Sequence, residues 1–338
     1  MNFEQEFQSP FWLYNGHLQT IWPAVVGRLI LQKKVEPTYI RKRWVTPDDD
    51  FIEIDSDMSF FNGKGPVVVL FHGLEGSSSS YYAQAFYQAC KEQNFSLSIP
   101  HFRGCSGIDN KQARSYHAGD SEEVNWIIHK YSKICTSQQR DLYILGISLG
   151  GNALLHWAGN YISDSKIFPN LRSIISISAP INLRESSIKI DRGFNRLIYA
   201  NHFLRSMKKK AKKKCIQFPN ELSISDIQRA RTISDFDDAY TAPVHGFSDV
   251  KDYWNRASSS RVIDKIKIKT LLIHSKNDPI VPFLSLPHRI ISRNPFIESW
   301  FPQSGGHASF LHSSDPTSFW VNHVFFPKVV LNWCKNLT

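Results

Sequence analysis

From Tyr39 onward, short apolar runs alternate with longer stretches in which apolar positions recur at helical spacing. That is the pattern of an α/β fold with a mainly parallel, doubly wound sheet. Residues 39–45 and 51–54 flank PDDD, a turn-forming cluster, and predict an antiparallel hairpin. Buried-strand runs follow at 66–71, 95–99, 141–147 and 172–178, with helical spacing over 77–93, 119–133 and 149–161. Four hydroxyl residues, Ser77 to Ser80, offer caps for the first of these helices. Asp120 and Ser121 ahead of Glu122 and Glu123 mark the start of the second, with charges suited to the helix dipole.

Beyond Pro180 the alternation stops, and it resumes with a helical stretch at 249–258, strands at 269–274 and 297–301, and an amphipathic stretch at 318–336. Pro327 falls inside that last stretch and predicts a kinked or two-piece helix. The break divides the chain into an N-terminal arm (1–38), a core (39–180 and 241–338) and an inserted helical cap (181–240). The arm carries FWLYNGHLQTIWP, residues 11–23, rich in aromatics and turn formers and without a clean period, which reads as a segment packed on the core.

Composition narrows the class. Hydrophobic residues make up 42% and charged residues 21% of the 338-residue chain, too apolar a balance for intrinsic disorder. The formal net charge of +10 invites nucleic-acid or anionic-membrane partners, because basic excess is their electrostatic footprint. Its position argues against nucleic acid: from Arg184 to Lys214 stand eleven basic residues against Glu185 and Asp191, so this segment carries +9 and the remainder +1. The body is nearly neutral and has one basic element. The run Lys208, Lys209, Lys210, Lys212, Lys213 and Lys214 lies in the insertion; it reads first as a solvated helix face and second as a peripheral contact with anionic membrane. No basic region leads into an apolar one at the N-terminus, and no window reaches the ~18 apolar residues of a spanning helix. Five scattered cysteines without a CxxC pair suit a reducing cytoplasm and remove the case for a structural zinc site, so no metal is expected.

The sharpest chemical signal is GISLGG, residues 146–151, a G-x-S-x-G directly after a strand and directly before a helix. Gly146 and Gly150 meet a turn too tight for side chains, and Ser148 is thrust out at the top of the sheet as a nucleophile. A serine hydroxyl is nearly inert at neutral pH without a base that an acid orients. On this elbow, acid and base follow the serine in the chain. Asp278, just past a late strand in KTLLIHSKNDPIV, is the candidate acid; Asn277, or an Asp-Pro turn of purely structural use, is the alternative. Among thirteen histidines His307 is the candidate base, because Gly305 and Gly306 in SGGHASF let the backbone carry it over the sheet. His312 and His323 compete from the packed C-terminal pattern, and His274 reads as a core residue. The oxyanion donors expected are the backbone N–H groups of Leu149 and of Leu74, the latter in FHGLEGSSSS, where Gly73 allows the tight path and His72 reads as structural.

The blocks FWLYNGHLQTIWP, TPDDDFIEID, HGLEGSSSSYY, HFRGCSG, YHAGD, GISLGGN, FDDAYTAPVHGF, DYWNRASS, NDP and GGHASF, in this order, resemble the YheT-like hydrolases, a branch of the α/β-hydrolase superfamily. The resemblance implies an α/β-hydrolase fold and a cytosolic serine hydrolase of carboxylic esters without cofactor, with Ser148 as nucleophile, Asp278 as acid and His307 as base. A small-molecule or lipid ester is the implied substrate, and a monomer the expected state. Two positions depart from the branch: His101 stands where Asn is usual and Ser309 where glycine is usual, and both bear on pocket shape. Eukaryotic members usually carry an N-terminal membrane anchor, which this sequence is expected to lack. No histidine is followed five positions later by aspartate, as an H-x4-D acyltransferase motif requires. Ester hydrolysis competes with three readings: a non-catalytic lipid- or membrane-binding protein on the same fold, an acyltransferase using the same triad, and C–C bond or peroxide chemistry.

Overall fold

Val67–Phe71 carries no polar side chain, so a strand built from it needs cover on both faces. It lies at the middle of an eight-stranded sheet. The computed structural model describes residues 7–34, 37–162, 168–219, 222–315 and 317–337. Residues 1–6, 35 and 36 of the predicted arm, and 220 and 221 of the predicted insertion, lie outside the described residues. The strands are β1 (Tyr39–Val45), β2 (Phe51–Asp57), β3 (Val67–Phe71), β4 (Ser96–Pro100), β5 (Leu142–Ile147), β6 (Leu171–Ile177), β7 (Thr270–Ile273) and β8 (Ile297–Trp300). Their order is β1-β2-β4-β3-β5-β6-β7-β8. From β4 to β8 all neighbours are parallel, whereas β2 meets β4, and β1 meets β2, antiparallel. The predicted hairpin therefore forms one edge of the sheet.

The principal helices are α1 (Gly16–Trp22), α2 (Tyr81–Gln93), α3 (Ser121–Ser137), α4 (Leu149–Tyr161), α5 (Leu183–Ile190), α6 (Asn201–Gln217), α7 (Val250–Ala257) and α8 (Phe325–Lys335). Strand alternation feeds two cores. Val67, Val69 and Phe71 enter the core covered by α3 and α4, while Val68 and Leu70 enter the one covered by α2 and α8. Each such side chain removed from water contributes about 1.5–3 kcal/mol. Asp120 caps α3 by accepting the Glu123 N–H, as its sequence predicts. Ser80 makes no such cap for α2; its hydroxyl takes the Ser77 N–H instead, so the serine cluster closes a turn ahead of the helix.

The C-terminal stretch differs from its prediction. α8 starts at Phe325, so Pro327 lies in its first turn, where a missing N–H costs no helical hydrogen bond. The proline starts a helix instead of bending one. Phe319 and Trp320, which lend the stretch its amphipathic look, are exposed ahead of the helix.

Between β6 and β7 the chain forms α5, a helical run over 193–217 that ends in α6, and shorter helices leading to α7. Tyr199, Leu204, Met207, Ile227 and Phe236 build a core here against Ile280 and Val281, from the loop after β7. The N-terminal segment touches both bodies: Ile21 of α1 rests on this helical core, and Leu13 and Leu31 pack with Tyr81 and Ala85 of α2.

Candidate active site

The turn between β5 and α4 is built by exclusion. A Cβ on Gly146 would stand 2.5 Å from the Gly150 carbonyl oxygen, and one on Gly150 would stand 2.5 Å from the Phe71 carbonyl oxygen. Only glycine fits at either place. Ser148 between them adopts φ 52° and ψ −119°, a backbone state that costs a non-glycine residue about 1–3 kcal/mol and marks functional positions.

The strained serine is met from the far end of the sheet. His307 Nε2 lies 2.9 Å from Ser148 Oγ, and His307 Nδ1 lies 2.8 Å from Asp278 Oδ2. A carboxylate only accepts, so Nδ1 carries the proton and Nε2 is free to accept from the serine hydroxyl. The other oxygen, Asp278 Oδ1, accepts the N–H groups of Ile280 (2.8 Å) and Val281 (2.9 Å), which fixes the carboxylate's orientation. The structure thus brings together the three residues that the spacing singles out. Asn277 takes a different part, described below.

The competing histidines, His312 and His323, are occupied elsewhere, and His274 lies behind the acid, its Nε2 3.9 Å from Asp278 Oδ2. His312 stacks on Phe325 and accepts the Gln8 N–H, and it bridges to Asn322 outside any helix. His323 precedes α8 and pairs with the Tyr81 hydroxyl. His274 is buried just past β7, with Nε2 3.1 Å from the Val281 carbonyl oxygen. Burial, reinforced by His101, pulls the pKa of His72 down to about 3, so its ring is neutral. Its Nδ1–H donates to the Gly73 carbonyl (2.8 Å) and its Nε2 accepts the Phe102 N–H (3.1 Å), a wholly structural use. His101 holds Asp55 at 2.9 Å, and Ser309 donates to the His307 carbonyl at 3.3 Å.

The loop that follows β3 runs beside the serine: a Cβ on Gly73 would lie 3.2 Å from Ser148 Cβ. Leu74 and Leu149 line one cavity together with Ser148 and His307. Leu149 opens α4, where backbone N–H groups have no helical acceptor. The cavity walls are apolar at Leu183, Phe203, Met207, Phe236 and Ile280, with Asp237 set among them. Burial raises the Asp237 carboxyl to about 7, against a hydrogen bond from Thr241 at 2.8 Å. Among the described residues no cluster of His, Cys, Asp or Glu is arranged to hold a metal ion, and no helix is long and apolar enough to cross a membrane.

A family model described as the alpha/beta hydrolase fold matches residues 66–312. The chain is also 32% identical to YheT of Escherichia coli (strain K12), whose name marks it as a candidate esterase, over 88% of this chain and 84% of that protein. This chain is an α/β-hydrolase of the YheT-like branch. Its likeness to a monoacylglycerol lipase of Saccharomyces cerevisiae is lower, 24% identity over 88% of this chain and 67% of that one. An esterase of Pyrococcus furiosus superposes with a TM-score of 0.54 at 14% identity, covering 90% of this chain and 93% of that one.

In this α/β-hydrolase the N-terminal segment does more than pack. Thr20 Oγ1 accepts the His307 N–H at 2.9 Å and donates to the Gly16 carbonyl at 2.6 Å. Gln19 Oε1 accepts from the Gly305 N–H (2.8 Å) and from Asn277 Nδ2 (2.9 Å), while Asn277 Oδ1 accepts the Gly306 N–H (3.1 Å). Gly16 lies so close to the acid loop that a Cβ there would stand 2.0 Å from the Asn277 carbonyl oxygen. Residues from α1 and from the acid loop thus hold the histidine loop between them. Within residues 11–23 the turn formers are visible in the sequence but this use of Gln19 and Thr20 is not, and the Asn15-Gly16 pair is the signal that bears on it.

Proposed function

We propose that this hydrolase cleaves carboxylic esters through an acyl-enzyme. Ser148 Oγ attacks the ester carbonyl as His307 Nε2 takes its proton, and Asp278 holds the imidazole in the needed tautomer and stabilises the imidazolium. The tetrahedral oxyanion is held by the N–H groups of Leu74 and Leu149, each worth about 100- to 1,000-fold in rate. Collapse expels the alcohol with the proton from His307, and water repeats the sequence on the acyl-serine. The observation that carries the reading is the unbroken hydrogen-bond chain from Ser148 through His307 to Asp278 on a strained elbow.

The apolar cavity walls support an ester with a hydrocarbon acyl group, and the esterase and lipase names among the relatives point the same way. On this reading the helical segment between β6 and β7 is the cap that shapes the acyl site. Five buried free cysteines support a reducing compartment, the cytoplasm. Replacing Ser148 by alanine is expected to reduce p-nitrophenyl ester turnover to background and to abolish labelling by a fluorophosphonate probe, with thermal stability retained. Turnover at the wild-type rate in that variant would sink the proposal.

A further inference from the structure

Glu75 directly follows the proposed oxyanion donor Leu74 and stands at φ +53°, a state that persists only where the surroundings hold it. Four contacts do so. The Tyr116 hydroxyl accepts the Glu75 N–H at 2.9 Å and donates to Glu75 Oε1 at 2.8 Å. Lys210 Nζ reaches the same carboxylate at 2.9 Å, and the Ser206 hydroxyl donates to Oε2. Burial first, then Cys105 and Glu75, keep the Tyr116 pKa well above its ordinary value, so it remains a donor. The Glu75 side chain is 8% exposed and that of Lys210 32%, so solvent screens the ion pair less than it would a surface pair.

The partners of this carboxylate come from two bodies. Tyr116 stacks on Phe102, whose N–H binds His72 at the other end of the same loop. Ser206 and Lys210 are successive positions on one face of α6, in the helical segment over the cavity. On that helix Phe203, one turn before Ser206, and Met207, one turn before Lys210, line the cavity that holds Ser148. A substrate that fills the cavity therefore rests on the same turns of α6 that grip Glu75.

We propose that Glu75 is a positioning residue that couples the seating of α6 to the Leu74 N–H, so that the oxyanion site is complete when this helix is closed over a fitting substrate. The coupling rests on the ester-hydrolase reading. Its physical basis is that a hydrogen-bond donor serves the transition state only when fixed before charge develops. Withdrawal of α6 removes Lys210 and Ser206 from Glu75 and leaves a strained residue held by Tyr116 alone.

The test uses Glu75→Gln, which keeps the shape and loses the ion pair, and Lys210→Met, which leaves Glu75 its bonds to Tyr116 and Ser206. Each is expected to lower kcat on a p-nitrophenyl ester by about 10- to 100-fold, less than loss of a whole donor, with KM changed less than about twofold. Affinity for an alkyl trifluoromethyl ketone, whose adduct with Ser148 bears an oxyanion, should fall by the same factor as kcat/KM. The double variant should be no worse than the worse single one, since both break one link, and Lys210→Arg should restore most of kcat. Wild-type kcat in both single variants, or a loss carried by KM with ketone affinity unchanged, overturns the coupling. A Ser148→Ala control separates the two readings: if it stays active the ester-hydrolase mechanism falls first, and if it is dead while Glu75→Gln is fully active only the coupling falls.

Discussion

At the scale of single residues, local backbone demand and burial differ in how far they can be read from sequence. Gly146 and Gly150 are legible because a carbonyl oxygen sits 2.5 Å from where each Cβ would be, a demand that leaves one residue type. Asp237 is not, because Asp238 beside it is exposed and nothing in FDDAY separates the two. Its burial has a measurable consequence. Unfolded, Asp237 ionises near pH 4; folded, burial holds it protonated up to about 7, with Asp191 and Asp238 pushing the same way. The folded state binds the extra proton across that interval, so this contribution to stability is full below the unfolded pKa and lost as pH rises through 7. Asp237→Asn keeps an acceptor for Thr241 and removes the titration. Its stability relative to the wild type, from urea melts at pH 5, 6 and 7, should rise with pH by up to ~1.4 kcal/mol per unit. A flat difference would mean that Asp237 is already ionised in the fold.

At the scale of elements, the strands between 66 and 178 sit within about one residue of their predicted ends, because the runs are short and rich in Val and Ile, and turn formers such as Gly65, Pro66, Pro100 and Pro180 stand near their ends. The misread C-terminal stretch and the unforeseen use of α1 share a cause: their partners are far away in the chain. Phe319 packs against Phe11 and Trp12, so the 318–324 pattern describes a contact with the N-terminal segment, not a helix face. The use of α1 escapes for the same reason, since Gln19 and Thr20 serve residues 305–307. Thr20→Val keeps the shape and removes the acceptor for the His307 N–H. It should lower kcat about tenfold with KM little changed, short of the ~100-fold of a 1 Å misplacement, and Thr20→Ser should restore it. Steady-state kinetics of the pair decides; an unaltered Thr20→Val rate would mean that the glycines and Asn277 hold His307 unaided.

At the scale of the whole molecule, the +10 charge and the architecture meet in α6. Counting places the charge, but a run reading KKKAKKK is basic on every face, so its direction is not legible without the fold. In the fold, Lys210 binds Glu75, Lys213 binds Asp109, Lys208 binds the Gln228 and Ala230 carbonyls, and buried Lys214 binds the Asn110 and Gln112 carbonyls. That last segment is held in turn by Asp50, which takes the N–H groups of Lys111 and Gln112 and the Asn110 amide. A chain of contacts therefore runs from α6 through residues 109–112 to the β1–β2 hairpin at the sheet's edge. If this is what the lysines do, they must differ sharply from one another. Lys214→Met leaves two carbonyls without their cation and should cost about 1–3 kcal/mol, whereas exposed Lys209→Gln should stay within about 0.5 kcal/mol. Sedimentation with phosphatidylserine vesicles adds the second axis, since a membrane footprint would make exposed Lys209 matter for binding, whereas buried Lys214 should matter for stability and not for binding. Equal stability of the two variants would return the run to a solvated basic face; the expected inequality makes it the fastening that keeps α6, and with it the cavity roof, against the sheet.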